Sequence, residues 1–405
     1  MTAIDRPTHV DTIIVNSSQL LTMAESGGVP GGAVAVKDGI VIETGRTEDL
    51  LRIYPGCPEI IDAGNQLVMP GFVDCHTHLV FAGERSGEME MRLRGASYLE
   101  ILKSGGGIHS TVRATRAASA DELFDAGMER LDRMARNGTT TVEIKSGYGL
   151  DEETELKMLE VVRKLSADHT LDVAATYLGA HTIPSETDRN EYVRWLAGSS
   201  LETFSGYAEF FDVFCEEGAF SLEETEFLLE AAAQAGFKLK VHAGQFNDLG
   251  AARLAASMGA VSADHLENIS DDDLDLMAKA GTVAVLLPGV PFFLQSSIYP
   301  NARRFIERGI PVALATDFNP GSCPSYSMQM MIALGVFFCG LTAAEALKAA
   351  TLDAAKAIDR ESETGSLEPG KKADIIILDV KSPGELPYYF GTNLVTKTMK
   401  GGILL

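Results

Sequence analysis

The chain has 405 residues, 45% of them hydrophobic and 22% charged, the profile of a globular protein long enough for a large core and more than one structural unit. Its formal net charge of −23 argues against nucleic acid or an anionic membrane as partner, because phosphate binding needs clustered Lys and Arg. The five cysteines (57, 75, 215, 323 and 339) are an odd number with no CxxC pair, and the N-terminus lacks a signal-peptide pattern. The longest apolar stretch, around Met330 to Leu341, is short of the roughly 18 residues of a membrane span, so a cytoplasmic chain with reduced thiols is expected.

The first sixty-odd residues read as β-structure. Ala33 to Lys37 and Ile40 to Ile42 flank Asp38-Gly39, a dipeptide that tolerates positive φ and favours a tight hairpin. Strands are then expected near 68–74, 139–145, 172–179 and 209–215. From Leu222 the pattern alternates clearly: a helix with Phe227, Leu228 and Ala231 on its apolar face stops at Gly236, and the strand Phe237 to Val241 runs into His242. Further helices end at Gly259, Gly281 and Gly309, each followed by an apolar strand, the last reaching Thr316 before Asp317. After Gly365 the β-pattern returns, with a strand at Ile375 to Leu378.

Eight strands separated by helices predict an α/β chain, a (β/α)8 TIM-type barrel over residues 67–364. The two terminal segments, 1–66 and 365–405, are each too small for a core of their own and are expected to form one small β-sandwich domain. An open doubly wound sheet competes, but no GxGxxG follows the first strand.

The polar residues fall at strand ends: His76 and His78 after the first strand, His181 after the third, His242 after the fifth, His265 after the sixth and Asp317 after the eighth. In a barrel these ends share one mouth, where active sites are built. His76-Thr77-His78 alternates, so both imidazoles face one side and can share an ion. His242 and Asp317 complete three nitrogens and a carboxylate, a set suited to one Zn2+ or Fe2+/Fe3+ ion. Such an ion acidifies water and polarises a carbonyl, which an unreactive amide requires. His265 reads as a proton shuttle or a further ligand; a core histidine with a satisfied hydrogen bond is the lesser alternative.

The segments Pro70 to Gly83, Gly105 to Ile108, Ser110 to Arg116, Glu143 to Leu150, Leu178 to His181, Ser262 to Leu266 and Thr316 to Ser322 together resemble, in order, the imidazolonepropionase family of the amidohydrolase superfamily. The resemblance implies hydrolysis of 4-imidazolone-5-propanoate to N-formimidoyl-glutamate, the ring-opening step of histidine breakdown. It also implies a homodimer with one metal ion per chain, held at His76, His78, His242 and Asp317. The implied substrate contacts are Arg85, Tyr98, Tyr148, His181, Asn319, Gly321 and Ser322. A guanidinium at Arg85 suits a propionate carboxylate. Some superfamily members carbamylate a lysine to bridge two metals, but the family resembled is mononuclear, so Lys145 is expected to be structural.

There is one departure. Family members often carry a carboxylate within three residues of the fifth-strand histidine, where this chain has His242-Ala243-Gly244-Gln245. Gln245 can hydrogen-bond water or the ring but cannot take a proton. The catalytic set is therefore Gln245 with His265 or Asp317 as proton acceptor. Another cyclic-amide hydrolase or a deaminase on the same scaffold would keep the metal set, and a non-catalytic descendant would be free to lose it.

Overall fold

The computed structural model describes residues 7–24, 28–95, 100 and 105–405. Eight parallel strands form its centre: Phe72–Asp74, Thr139–Lys145, Asp172–Ala180, Phe210–Cys215, Lys238–Ala243, Ser262–His265, Val283–Leu286 and Val312–Leu314, each paired with the next in chain order. The first and last meet just beyond their ends, where Asp317 N donates to His76 O and His78 N to Phe318 O, both at 3.0 Å. Thr77 and Phe318 form a parallel bridge between them. The α/β barrel thus closes at its C-terminal rim, through the segments that carry the candidate ligands.

Helices between the strands begin with designed caps. Ser221 accepts from Glu224 N while the Glu224 side chain reaches back to the Ser221 backbone, fixing the start of Leu222–Gln234. That helix buries Thr225, Leu228, Leu229 and Ala232. Phe227 lies one position off this stripe and is 49% exposed, so the apolar face is rotated from the one expected. No helix among the described residues is long and apolar enough to cross a membrane.

The terminal segments build two further sheets. One has four strands, ordered Ile40–Arg46, Gly32–Lys37, Thr12–Val15 and Glu59–Asp62. The other has six: Ile403–Leu404, Val395–Lys400, Ile375–Leu378, Leu67–Pro70, Gln19–Leu21 and Gly28–Pro30. The hairpin turns at Asp38 and Gly39, both at positive φ (50° and 76°). Period-two alternation explains why Ile375–Leu378 is apolar throughout. Ile375 and Ile377, with Val68, pack between the two sheets, whereas Ile376 and Leu378, with Leu67 and Met69, pack against the barrel.

The strand expected at 68–74 is two strands. Leu67–Pro70 pairs antiparallel with Ile375–Leu378 in the six-stranded sheet, and only Phe72–Asp74 enters the barrel. Gly71 sits at the junction because nothing larger fits: a Cβ there would lie 2.3 Å from Thr140 Cγ2. An unbroken apolar run conceals such a break, since both halves are fully buried.

Candidate active site

His242 is the penultimate residue of its strand and His265 the last of the next, with His242 in register with Asp264 and Ala243 with His265. Their neighbours across the rim are His76 and His78, just past the first strand. Ring centroids of His76 and His242 lie 4.5 Å apart, and those of His76 and His78 5.4 Å. Asp317 Oδ1 sits between the first pair of ligands, 3.3 Å from His76 Nε2 and 3.2 Å from His78 Nε2.

Beneath this cluster lies a layer of buried charge. Asp264 Oδ2 faces His76 Nδ1 at 2.6 Å, and Asp212 faces His242 Nδ1 at 3.1 Å. A carboxylate on Nδ1 fixes the ring so that Nε2 points up into the mouth. Lys145 Nζ donates to Glu143 Oε1 at 2.7 Å and to Asp212 Oδ2 at 2.8 Å, and Lys240 Nζ donates to Ser262 Oγ, which in turn donates to Asp264. Three carboxylates therefore face two ammonium groups with all five side chains out of solvent. Burial disfavours the charged form of Lys145, but Asp212 and Glu143 prevail and raise it, against the neutral amine that carbamylation needs.

The upper cluster fits a cation. Among the described residues, His76 Nε2, His242 Nε2 and Asp317 Oδ1 are buried without a hydrogen-bond partner, which is rare for native polar atoms. One donor atom each of His76, His78 and His242 lies within 4.8 Å of the others, and the same holds for His76, His265 and Asp317. Burial pushes His242 down to about 3 and lowers His78, so both offer a lone pair at neutral pH. At His76, burial and the Lys145 charge push down, but Asp264 and Asp317 prevail and raise it to about 9. Filling the centre at pH 7 should therefore release about one proton, and metal affinity should fall as pH drops below 9. Titration calorimetry of the metal-free chain in buffers of different ionisation enthalpy reads that proton directly; a release that does not decline on going to pH 10 would contradict it.

Asn319 and Ser322, expected at the substrate, hydrogen-bond Asp317. Asn319 Nδ2 donates to Asp317 Oδ2 at 2.9 Å and Ser322 Oγ to the same oxygen at 3.2 Å, which leaves Oδ1 toward the histidines. Asn319 Oδ1 accepts from the backbone N–H groups of Gly321 and Ser322, both at 2.8 Å. Gly321 in turn lies against Arg85: a Cβ would come within 2.1 Å of Nη1. Arg85 spends Nε and Nη2 on Glu88, at 3.0 and 2.8 Å, and Glu88 also accepts from Gly107 N. Among the described residues, Nη1 makes no hydrogen bond, so that side of the guanidinium could take a ligand. Gly321→Ala should displace that guanidinium and raise KM about 10- to 100-fold with little change in kcat, measured by steady-state kinetics; an unchanged KM would contradict this placement.

Tyr148 and His181 complete the mouth. Glu155 accepts from the backbone N–H groups of Gly147, Gly149 and Leu150, which shapes the loop carrying Tyr148. Tyr148 is buried 5.3 Å from His181 and 5.8 Å from His78, ring to ring, and burial raises its phenol above the ordinary value, so it stays a donor. His181 stacks on His78 at 4.9 Å and bonds Gly147 O through Nδ1. Burial, then His78 and His242, hold it neutral. Gln245 is half-buried; its carbonyl accepts from Asn268 Nδ2 at 3.1 Å, and its side chain makes no hydrogen bond among the described residues. Tyr98 lies outside the described residues.

Sequence reasoning missed Asp212, Asp264, Glu143, Glu155, Glu88 and Glu267. Their signal was a buried-type strand or loop with an acidic residue in it, such as Phe210-Phe211-Asp212-Val213.

The model of the amidohydrolase family matches residues 67–405. Imidazolonepropionase of Symbiobacterium thermophilum is 48% identical over 98% of this chain and 97% of its own length. That of Treponema denticola is 46% identical over 96% of each, and that of Geobacillus kaustophilus 45% over 94% and 91%. Among solved structures, a zinc-bound adenosine deaminase from Xanthomonas campestris superposes with a TM-score of 0.76 at 20% identity, covering 98% of this chain and 93% of that one. A zinc complex of atrazine chlorohydrolase from Arthrobacter aurescens does so at 0.73 and 15%, covering 97% and 95%. The structural likenesses establish the shared fold, and the sequence relatives go further: at such identity over nearly its whole length, this chain belongs to the imidazolonepropionase family of amidohydrolases.

Proposed function

We propose that this chain hydrolyses 4-imidazolone-5-propanoate to N-formimidoyl-L-glutamate, opening a cyclic amide in histidine degradation. The full-length relatives named imidazolonepropionase support the reaction. The observation that carries the chemistry is the set of orphaned, buried donors beside a half-committed guanidinium. His76, His78, His242 and Asp317 would hold one zinc or iron ion, a set of three nitrogens and one oxygen that suits either. Bound there, the ion supplies Lewis acidity, which acidifies water and polarises an amide carbonyl.

The chain's own residues do the rest. Arg85 takes the propionate through the edge that Glu88 leaves free, and Glu88 holds the guanidinium at its angle. Tyr148 donates its phenolic proton to the ring, and His181, with Nδ1 tied to Gly147 O, presents Nε2. Asn319 and Ser322 keep Asp317 turned toward the histidines. Gln245 positions ring or water by hydrogen bonding. Asn319 and Ser322 occupy Asp317 Oδ2, and Oδ1 faces the histidines that would share the ion, so His265 is the group that accepts the proton.

The test is loss of the imidazolone absorbance when 4-imidazolone-5-propanoate is generated in place by urocanase. Rapid, chelator-sensitive loss with N-formimidoyl-L-glutamate as product is expected. A folded, metal-loaded sample that gives no acceleration would refute the substrate assignment.

A further inference from the structure

His265 ends its strand in an unusual way. It and Leu266 both adopt left-handed backbone, at φ 83° and 67°, a conformation that costs a β-carbon residue about 1–3 kcal/mol and persists where the surroundings impose it. The surroundings do so here: Leu266 N donates to Ala243 O at 3.0 Å and Asn268 N to Gly244 O at 2.8 Å, pinning both sides of the turn. Gly244 is itself left-handed, and a Cβ on it would strike Asn268 O at 2.2 Å. The result is that Glu267, two residues past His265, is turned back beneath it.

The Glu267 side chain is 4% exposed, and both its oxygens lack a hydrogen-bond partner. His265 Nδ1 is likewise buried without one, and it lies 3.9 Å from Glu267 Oε2. Among the described residues no lysine or arginine pairs with this carboxylate. A buried carboxylate and a buried imidazole nitrogen, neither with a hydrogen-bond partner among the described residues, lie 3.9 Å apart. His76 and His242 each have such an acidic neighbour, Asp264 and Asp212, at hydrogen-bond distance. At His265 the acidic neighbour is Glu267 of the following loop, at 3.9 Å.

We infer that Glu267 is a positioning residue for His265: it accepts the Nδ1 proton, so that Nε2 faces the reaction centre as the acceptor. This rests on the reading of His265 as proton acceptor, and it explains how the chain dispenses with a carboxylate at position 245. The acid is present, but it acts through a histidine.

The experiment combines nitrogen NMR of the zinc-loaded, histidine-labelled chain with kinetics of Glu267→Gln, His265→Ala and the double variant. The His265 signal, assigned by its absence in His265→Ala, is expected to report the Nδ1–H tautomer. Glu267→Gln is expected to lower kcat about 10- to 100-fold with KM and zinc content little changed. The double variant should be no slower than His265→Ala alone, because the two residues act as one unit. A His265 proton on Nε2, a wild-type kcat in Glu267→Gln, or multiplicative losses in the double variant would overturn the assignment. Should Glu267→Gln fail to fold, the tautomer in the unaltered chain still decides. A slow His265→Ala beside a fast Glu267→Gln would sink only the role of Glu267; a fast His265→Ala would sink the proton-acceptor reading as well.

Discussion

Lys145→Met is expected to reduce the free energy of unfolding by about 3–5 kcal/mol, the cost of stranding buried carboxylates without their cation. Lys145 is fully buried and its Nζ holds Glu143 at 2.7 Å and Asp212 at 2.8 Å, with Asp264 3.9 Å away. Methionine nearly conserves the volume, so the loss reads the charge rather than a cavity. For a protein whose whole stability is about 5–15 kcal/mol, that is a large share. The urea midpoint at unchanged slope measures it. A midpoint equal to that of the unaltered chain would show that the carboxylates find another partner. The same variant should weaken metal binding, because Asp212 orients His242 and Lys145 holds Asp212.

His265→Ala is expected to lower kcat by about 10²–10⁴-fold while leaving one metal ion per chain. His76, His78, His242 and Asp317 all remain in the variant, so metal content measured by emission spectroscopy should not move. Asp317 is a poor substitute acceptor. Against the opposing effect of burial, the adjacent His76 and His78 hold it well below the usual carboxylate range, and Asn319 and Ser322 occupy its second oxygen. A near wild-type rate with metal intact would remove His265 from the proton-transfer step.

Much of this arrangement was legible in the sequence because barrel geometry converts strand order into convergence. His76, His78, His242, His265 and Asp317 were found by their position at strand ends alone, without any contact being known. The break at Gly71 was missed although Pro70-Gly71 is a turn-type dipeptide, because both halves are fully buried and periodicity cannot separate two buried strands. The face of Leu222–Gln234 was misjudged by one position, a 100° rotation that a few apolar residues do not resolve.

The lower layer was hidden for a different reason. Asp212, Asp264, Glu143 and Lys240 stand in strands, where a polar residue normally marks the solvent side; their burial depends on partners outside their own strands, up to 188 residues away. Asn319 and Ser322 were placed at the substrate by resemblance, yet their hydrogen bonds run to Asp317. Glu267 gave no periodic signal at all, because a left-handed turn after His265 is what brings it back.

The most direct test of the central claim is to strip the chain with a chelator and titrate zinc back while following imidazolone hydrolysis. Activity should vanish in the metal-free chain and return linearly to an end point at one equivalent per chain. Full hydrolysis by the folded, metal-free chain would contradict the account.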